Sequence, residues 1–392
     1  MMRALVTGLG VVSPIGISVE TFWRALCAGR SHFTAITPVY PGMKDGCITS
    51  RLSNVDRAQV TRDLGNMSPT LPDSSAYAVH AALQAIQDAG LAPGDSALRN
   101  ALVCVGNNEA EADILDELVE GNRERWKRHP YAGHSIADAV SLAIGSRGPA
   151  YTVHNTCASG NVALEVALRM LKTGIIKTAV IGGGDVFSKK VWSGFHTLNA
   201  LGPAQCRPFS VSRRYITIAE GGAFLVLQAS EDVPDASRAY AELLAAASNN
   251  DAQHPTNPDL NGVTSCHLLA LSRAGLSSDQ VDAVFAHGTG TKANDAIEAR
   301  IFSEHYQGAA VTAIKGTTGH LMATAGALGA VASCLALRDQ ILPPTQINSA
   351  EFEFGFDLVL GDTARSREMT YVQNNSFGFG GNNAITIFKA VR

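Results

Sequence analysis

Short apolar runs alternate with longer stretches of helical spacing along most of the chain. Residues 3–7 read as a buried strand that ends in the glycine turn Gly8-Leu9-Gly10. Across residues 74–90, Val79, Leu83 and Ile86 recur at helical spacing, with serines before them as caps and a glycine after. Residues 101–105, 178–181, 223–227, 281–286 and 311–314 repeat the short buried-strand pattern. After Cys157, Val162, Leu164, Val166, Leu168 and Leu171 cover most of a helix circumference, which predicts a helix held between layers. Near the C-terminus, residues 369–374 and 384–388 suggest an antiparallel pair joined by the glycine-rich turn SFGFGGNN. The alternation predicts an α/β fold. No sequence repeat or long low-complexity linker interrupts it, so tightly packed halves are expected, with a seam near residues 230–240.

Composition changes this picture in a few places. The chain has 392 residues, 46% hydrophobic and 17% charged, enough for a large core and two or three domain-sized units. Net charge is -4 with no long run of one sign, which disfavours a nucleic-acid surface while leaving room for a local basic patch. Seven scattered cysteines, none spaced CxxC, speak against a disulfide framework or structural zinc and fit a reducing cytoplasm. MMRALVTG runs directly into a strand and does not read as a signal peptide. Residues 321–337 carry no charge, but they are short and hold Gly326, Gly329, Thr324 and Ser333. A buried helix is expected there, not a membrane span.

Four segments carry candidate chemistry. In VHNTCASGNVALEVAL, Cys157 falls at or just before a helix start, where free N–H groups and the helix dipole favour a thiolate. Its neighbours Ala158, Ser159 and Gly160 leave space for a substrate, as an acyl-accepting thiol needs. Free cysteine is also among the most buried residue types, so a core cysteine stays open on this segment alone. In VDAVFAHGTGTKANDAIEA, His287 closes a strand, the place where α/β proteins keep their chemistry. A structural histidine bonded to backbone is the alternative, and Thr289 and Thr291 either bind ligand amides or shape the turn.

In VTAIKGTTGHLMATAGALGA, Lys315 leaves a strand and His320 opens a helix of small residues. The positive end of that helix biases His320 towards the neutral form. Two neutral imidazoles can each donate an N–H to a developing enolate, which suits decarboxylation at a thioester carbonyl. In NNSFGFGGNNA, Phe377 and Phe379 offer backbone N–H groups for an oxyanion and rings able to gate a channel. A plain glycine-rich hairpin with two core aromatics is the alternative.

Taken in order, NTCASG, AHGTGT, KGTTGH and NSFGFGG resemble the β-ketoacyl-[acyl carrier protein] synthases, the elongating type with a Cys-His-His site. The resemblance covers essentially the whole chain, including RALVTGLGVVSPIG and the RPF run at Arg207. It implies a thiolase-like α/β fold, layered α/β/α/β/α, with two pseudo-duplicated halves. Residues 1–232 would carry the nucleophile and residues 233–392 the two histidines. It implies Cys157 as nucleophile, His287 and His320 as the histidine pair, and Lys315 as the family lysine. Thr289 and Thr291 match the pantetheine contacts, and Phe379 matches the gate, its N–H joining that of Cys157 in the oxyanion hole.

The implied reaction is a ping-pong decarboxylative Claisen condensation between an acyl thioester and malonyl-loaded acyl carrier protein, in fatty acid or polyketide-like biosynthesis. No metal or organic cofactor is implied. The implied partners are acyl- and malonyl-loaded carrier protein and a second subunit, identical or a chain-length-factor relative. Neither nucleic acid nor membrane is among them.

Two features depart from the family pattern. Where the family usually has an acidic residue nine positions after the second histidine, this chain has Gly329, so the support of Lys315 is unexplained. GNNEA replaces the small or aliphatic residues usual at the floor of the acyl tunnel. Either Asn107 or Asn108 caps a helix whose first turn is favoured by Glu109 and Glu111, or Glu109 lines the tunnel and alters which acyl chains fit. Together these departures suggest a specialised synthase, of the polyketide or aryl polyene kind. The basic run Arg123, Arg125, Lys127 and Arg128 reads either as an exposed cationic helix end or as the docking surface for an acidic carrier protein.

Rival readings fit less well. A dinucleotide enzyme lacks the third glycine and the acidic residue of its fingerprint. A thiolase would have a second cysteine near the C-terminus, and none follows Cys334. A non-catalytic chain-length factor would lack Cys157.

Overall fold

The computed structural model describes residues 2–36, 46–129 and 131–391. Its centre is one mixed sheet of eleven strands. In chain order these are β1 Ala4–Val12, β2 Leu102–Gly106, β3 Ala150–Val153, β4 Thr178–Asp185, β5 Gly221–Ala229, β6 Ala241–Asn250, β7 Ala283–Phe285, β8 Ala310–Thr312, β9 Asp357–Leu358, β10 Tyr371–Gly378 and β11 Asn382–Lys389. Across the sheet they run β9-β8-β7-β10-β11-β6-β1-β5-β4-β2-β3.

The order contains a repeat that the sequence hides. From β1 outward, β5 and then β4 pair antiparallel, and β2 and β3 follow in parallel. From β6 outward, β11 and β10 pair antiparallel, and β7 and β8 follow in parallel. The arrays meet where β1 pairs antiparallel with β6, Leu5 opposite Glu242. What recurs is strand direction and burial, which many side chains satisfy, so no residue-level repeat is needed.

The helices packed around the sheet include α1 Asp73–Asp88, α2 Ser159–Lys172, α3 Lys189–Thr197, α4 Leu260–Ala274, α5 Lys292–His305 and α6 Ala325–Asp339. Helix α2 touches β2 and β4 of one array and β6 and β11 of the other. Helix α6 likewise touches β1 and β5 as well as β10 and β11. Both therefore lie between the arrays, with α1 outside one and α4 outside the other, giving the α/β/α/β/α layering. Being covered on all sides explains why α2 is apolar around most of its circumference and α6 is almost wholly buried. The two central helices cross at Gly160 and Gly326. A Cβ on Gly160 would meet the Ala327 amide at 2.6 Å, and one on Gly326 would meet the Asn161 amide at 2.8 Å, so only glycine permits this approach.

Most expected elements form, with shifted ends. The charge-free stretch 321–337 is a buried turn followed by α6, and no helix among the described residues is long and apolar enough to cross a membrane. Helix α1 is not capped by serine. Pro72 holds the N-cap position and Asp73 opens the first turn, while Ser74 and Ser75 are buried inside it. The C-terminal pair runs in register from Tyr371 opposite Lys389 to Gly378 opposite Asn382.

Candidate active site

The candidate residues leave the same ends of equivalent strands. Cys157 follows β3, and Lys315 follows β8, its counterpart in the second array. His287 follows β7, and Phe379 follows β10. The ring nitrogens of His287 and His320 and the sulfur of Cys157 include one atom from each residue that all lie within 4.8 Å of one another. The imidazole rings meet edge to face, with centroids 5.5 Å apart at 82°. All three residues are buried and line a cavity of about 90 Å³, together with Thr289, Thr291, Phe377 and Phe379.

Local backbone fixes the cysteine. Thr156 sits at φ +50°, a conformation uncommon for a residue with a β-branched side chain. From there a 3-10 turn, Thr156–Ala158, leads into α2. The Ser159 hydroxyl accepts from Asn155 N at 2.8 Å and donates to Thr156 O at 2.7 Å. Thr156 Oγ1 donates to the Phe379 carbonyl at 2.9 Å. Gly378 presses so closely on Thr156 that a Cβ there would lie 2.9 Å from the Cys157 amide. The SFGFGG turn is thereby held against the cysteine. The Phe379 ring stacks on Phe195, centroids 5.6 Å apart, at the side of the cavity.

Burial dominates the electrostatics. It pushes the Cys157 thiol up to about 11, against the pull of the Lys315 ammonium, so the resting group is a thiol and not the thiolate expected from the helix start. His287 is held well below the usual imidazole range by burial, then by Lys315 and His320. His320 is lowered by burial and by Lys315, so its neutrality has other causes besides the helix dipole. The His320 backbone is clamped to the segment Thr217–Ala219, its N–H donating to Thr217 O at 2.7 Å.

The support of Lys315 has a structural answer. Its Nζ lies 3.2 Å from His287 Nδ1 and donates to the His287 carbonyl. Glu298 of α5 is the leading source of stabilising charge on this ammonium, although burial keeps the lysine below its usual range. Glu298 also accepts from the amides of His287 at 2.8 Å and Gly288 at 2.7 Å, and from Asn294 and Asn375. Asp295, three residues earlier, accepts from Phe209 N and Thr289 N. At Gly329 the space of a side chain is taken by the Asn374 amide, which is bonded to Asn161 Oδ1 and Gly326 O. Glu298 and Asp295 are not among the residues expected from the sequence. Their spacing in NDAIE, three apart on one helix face just after His287, was the available signal. Phe195 gave none, because nothing in α3 points to the distant Phe379.

Other candidates lie elsewhere. Glu109 forms an ion pair with Lys190, which also donates to the Tyr131 hydroxyl at 3.0 Å, so its carboxylate is not unpaired. It does not line the cavity at Cys157. Asn107 closes a three-residue turn onto Ala110 N at 2.6 Å instead of capping a helix. The next helix begins only at Ala112, with Glu111 at its N-cap. In the basic run, Arg125 is tied to Asp113 and Glu117, and Lys127 to Glu124. Arg123 and Arg128 have no ion pair among the described residues.

Comparison with known proteins points to one family. The family described as Beta-ketoacyl synthase, N-terminal domain, matches residues 1–233, and its C-terminal domain matches residues 240–348. The chain is 32% identical to nodulation protein E of Rhizobium meliloti (strain 1021), covering 99% of each chain. It is also 32% identical to 3-oxoacyl-[acyl-carrier-protein] synthase 2 of Coxiella burnetii (strain RSA 493 / Nine Mile phase I), again covering 99% of both. Among solved structures, the ishigamide ketosynthase/chain length factor superposes with a TM-score of 0.90 at 32% identity, covering all of both chains.

Proposed function

The chain belongs to the β-ketoacyl synthase family, and from that premise we propose that Cys157, His287 and His320 carry out the condensation. It is an acyltransferase of the 3-oxoacyl-[acyl-carrier-protein] synthase kind, acting in fatty acid or polyketide synthesis. An acyl group passes from its carrier thioester to Cys157 Sγ, and the carrier leaves as a free thiol. A malonyl thioester then enters beside Thr289 and Thr291. Its carboxylate departs as carbon dioxide while neutral His287 and His320 donate N–H bonds to the enolate oxygen. The enolate carbon attacks the acyl carbonyl, a C–C bond replaces the C–S bond, and Cys157 recovers its proton. The amides of Cys157 and Phe379 hold the oxyanion.

The observation that carries this reading is the convergence of one thiol and two neutral imidazoles within 4.8 Å along the wall of one cavity. Arg123 and Arg128 are the cations of the basic run left to meet an acidic carrier protein. A second subunit, identical or a chain-length-factor relative, fits the edge of β3, which among the described residues pairs on one side only and leaves Tyr151 half exposed. The similar ishigamide ketosynthase/chain length factor is named for a ketosynthase together with a chain length factor. Seven free cysteines suit a reducing compartment such as the cytoplasm. The division into halves at residues 232 and 233 fits the link between β5 and β6.

The test is product formation. Acyl carrier protein and malonyl carrier protein should yield a carrier-bound β-keto thioester by mass spectrometry, and the Cys157→Ala variant should yield none. Equal product from both would remove Cys157 from the chemistry.

A further inference from the structure

We propose that Asn294 is a specificity-determining residue of this cavity, its side-chain oxygen accepting a hydrogen bond from an amide N–H of the pantetheine arm that carries the thioester. Asn294 lies in the first turn of α5, is buried, and lines the cavity with Cys157, His287, Thr289 and Thr291. Its Nδ2 donates to Glu298 Oε2 at 2.9 Å and to Asp295 Oδ1 at 3.1 Å. The same two oxygens accept the backbone N–H groups of Gly288 and Thr289, so both act as acceptors. Turning the amide over would set its oxygen against two carboxylate oxygens, which fixes the NH₂ towards the acids. Oδ1 has no hydrogen bond among the described residues, yet it is not one of the polar atoms sealed without a partner. It therefore reaches open space, and the space beside Asn294 is the cavity. Donation by Nδ2 to two carboxylates also raises the electron density on Oδ1 and makes it a better acceptor.

A secondary amide is planar and trans, so its carbonyl and its N–H point in opposite directions and need a donor and an acceptor from different groups. Thr289 and Thr291 supply the donor. Their hydroxyls share one hydrogen bond at 2.9 Å, which leaves the pair one proton to give to a carbonyl. Asn294 supplies an acceptor whose direction is set by Glu298 and Asp295. The other side-chain amide on the wall, Asn257, is exposed and has no side-chain hydrogen bond to fix it among the described residues. Much of the remaining wall is apolar, including Phe195, Ile216 and Pro258, so an unmatched N–H there loses its water without a replacement. Asn294 thus favours an arm with an amide N–H over one without it, a preference separate from the choice of acyl group.

The proposal rests on the reading of the cavity as the entry for a carrier thioester, and binding tests it apart from chemistry. The probe is acetyl-pantetheine with a methylene in place of the thioester sulfur, which cannot acylate Cys157. Two relatives of the probe each have one amide N–H replaced by an ester oxygen. Affinity is read on the full chain as slowed alkylation of Cys157 by iodoacetamide over a series of probe concentrations. With the wild-type chain, one ester relative should bind about five- to tenfold more weakly than the parent. In Asn294→Leu, close to asparagine in size but without the acceptor, the parent and that relative should bind within about twofold of each other. Asn294→Ala repeats the comparison with a side chain that cannot overpack the site. An Asn294 that only supports Glu298 would weaken all three probes alike and leave the ratio unchanged. No discrimination by the wild-type chain, a ratio that persists in both variants, or no protection by any probe would overturn the proposal. Protection without discrimination removes the Asn294 contact and leaves the condensation reading standing. A chain that discriminates as described but is never acylated by a carrier keeps the contact and loses that reading.

Discussion

Lys315 Nζ stands 3.2 Å from Nδ1 of His287 and also donates to the carbonyl of that residue. An ammonium facing Nδ1 leaves the imidazole proton on Nε2, the tautomer able to donate to an oxyanion. Lys315 does not line the cavity, so it acts through His287. Replacing it with methionine should lower kcat for malonyl thioester decarboxylation by about a hundredfold with little change in KM. Steady-state assays separate the two, and a loss confined to KM would contradict this role.

The Cys157 thiol is raised to about 11 by burial, so its reactivity should climb throughout the ordinary pH range. Alkylation by iodoacetamide, followed by peptide mass, should accelerate about tenfold per unit between roughly pH 7 and 10 without a plateau. Lys315 pulls the thiol down, so Lys315→Met should slow alkylation at every pH. An inflection near pH 8 would show that the helix terminus outweighs burial.

Gly329 lies inside α6 against the Asn374 amide. Alanine in a helix interior normally stabilises by about 1 kcal/mol relative to glycine. Here the added methyl would strike Asn374, which is fixed by Asn161 and Gly326, and overpacking of this kind costs about 1–3 kcal/mol. Gly329→Ala should therefore lower the denaturant midpoint with an unchanged m-value. A midpoint that rises would mean Asn374 yields freely.

Glu111 is 1% exposed, accepts from the Ser75 hydroxyl, and has a second oxygen with no partner. Burial, helped by Asp113 and Asp73, lifts its carboxyl to about 8. The folded value is above the unfolded one, so the stabilisation is complete below about pH 4 and is lost as pH rises through about 8. Glu111→Gln mimics the neutral form and should be the more stable protein at pH 9, by on the order of several kcal/mol. Thermal melts at pH 5 and pH 9 check this, and an equal change at both would refute it.

Much of the fold and the centre of the site could be read from residues alone, because each rests on a local pattern. Cys157, His287, Lys315 and His320 all follow strand-to-loop transitions marked by small residues, and the structure brings them together. What could not be read depends on pairing between distant segments. Lys190 reaching Glu109, Asn374 filling the space at Gly329, and Phe195 stacking on Phe379 join residues 81, 45 and 184 positions apart. The protonation of Cys157 differs from the expectation for a related reason. A helix start is visible in sequence, but the depth at which the tertiary fold buries it is not. The strand order repeats without a sequence repeat because direction and burial constrain it, not particular side chains.

Intact mass spectrometry after incubation with acyl carrier protein charged with a panel of acyl groups is the most direct measurement. The wild-type chain should gain the mass of one acyl group, removable by hydroxylamine as a thioester, and Cys157→Ala should gain none. If the wild-type chain takes no acyl group from any carrier, or if Cys157→Ala is acylated equally, Cys157 is not the acyl acceptor.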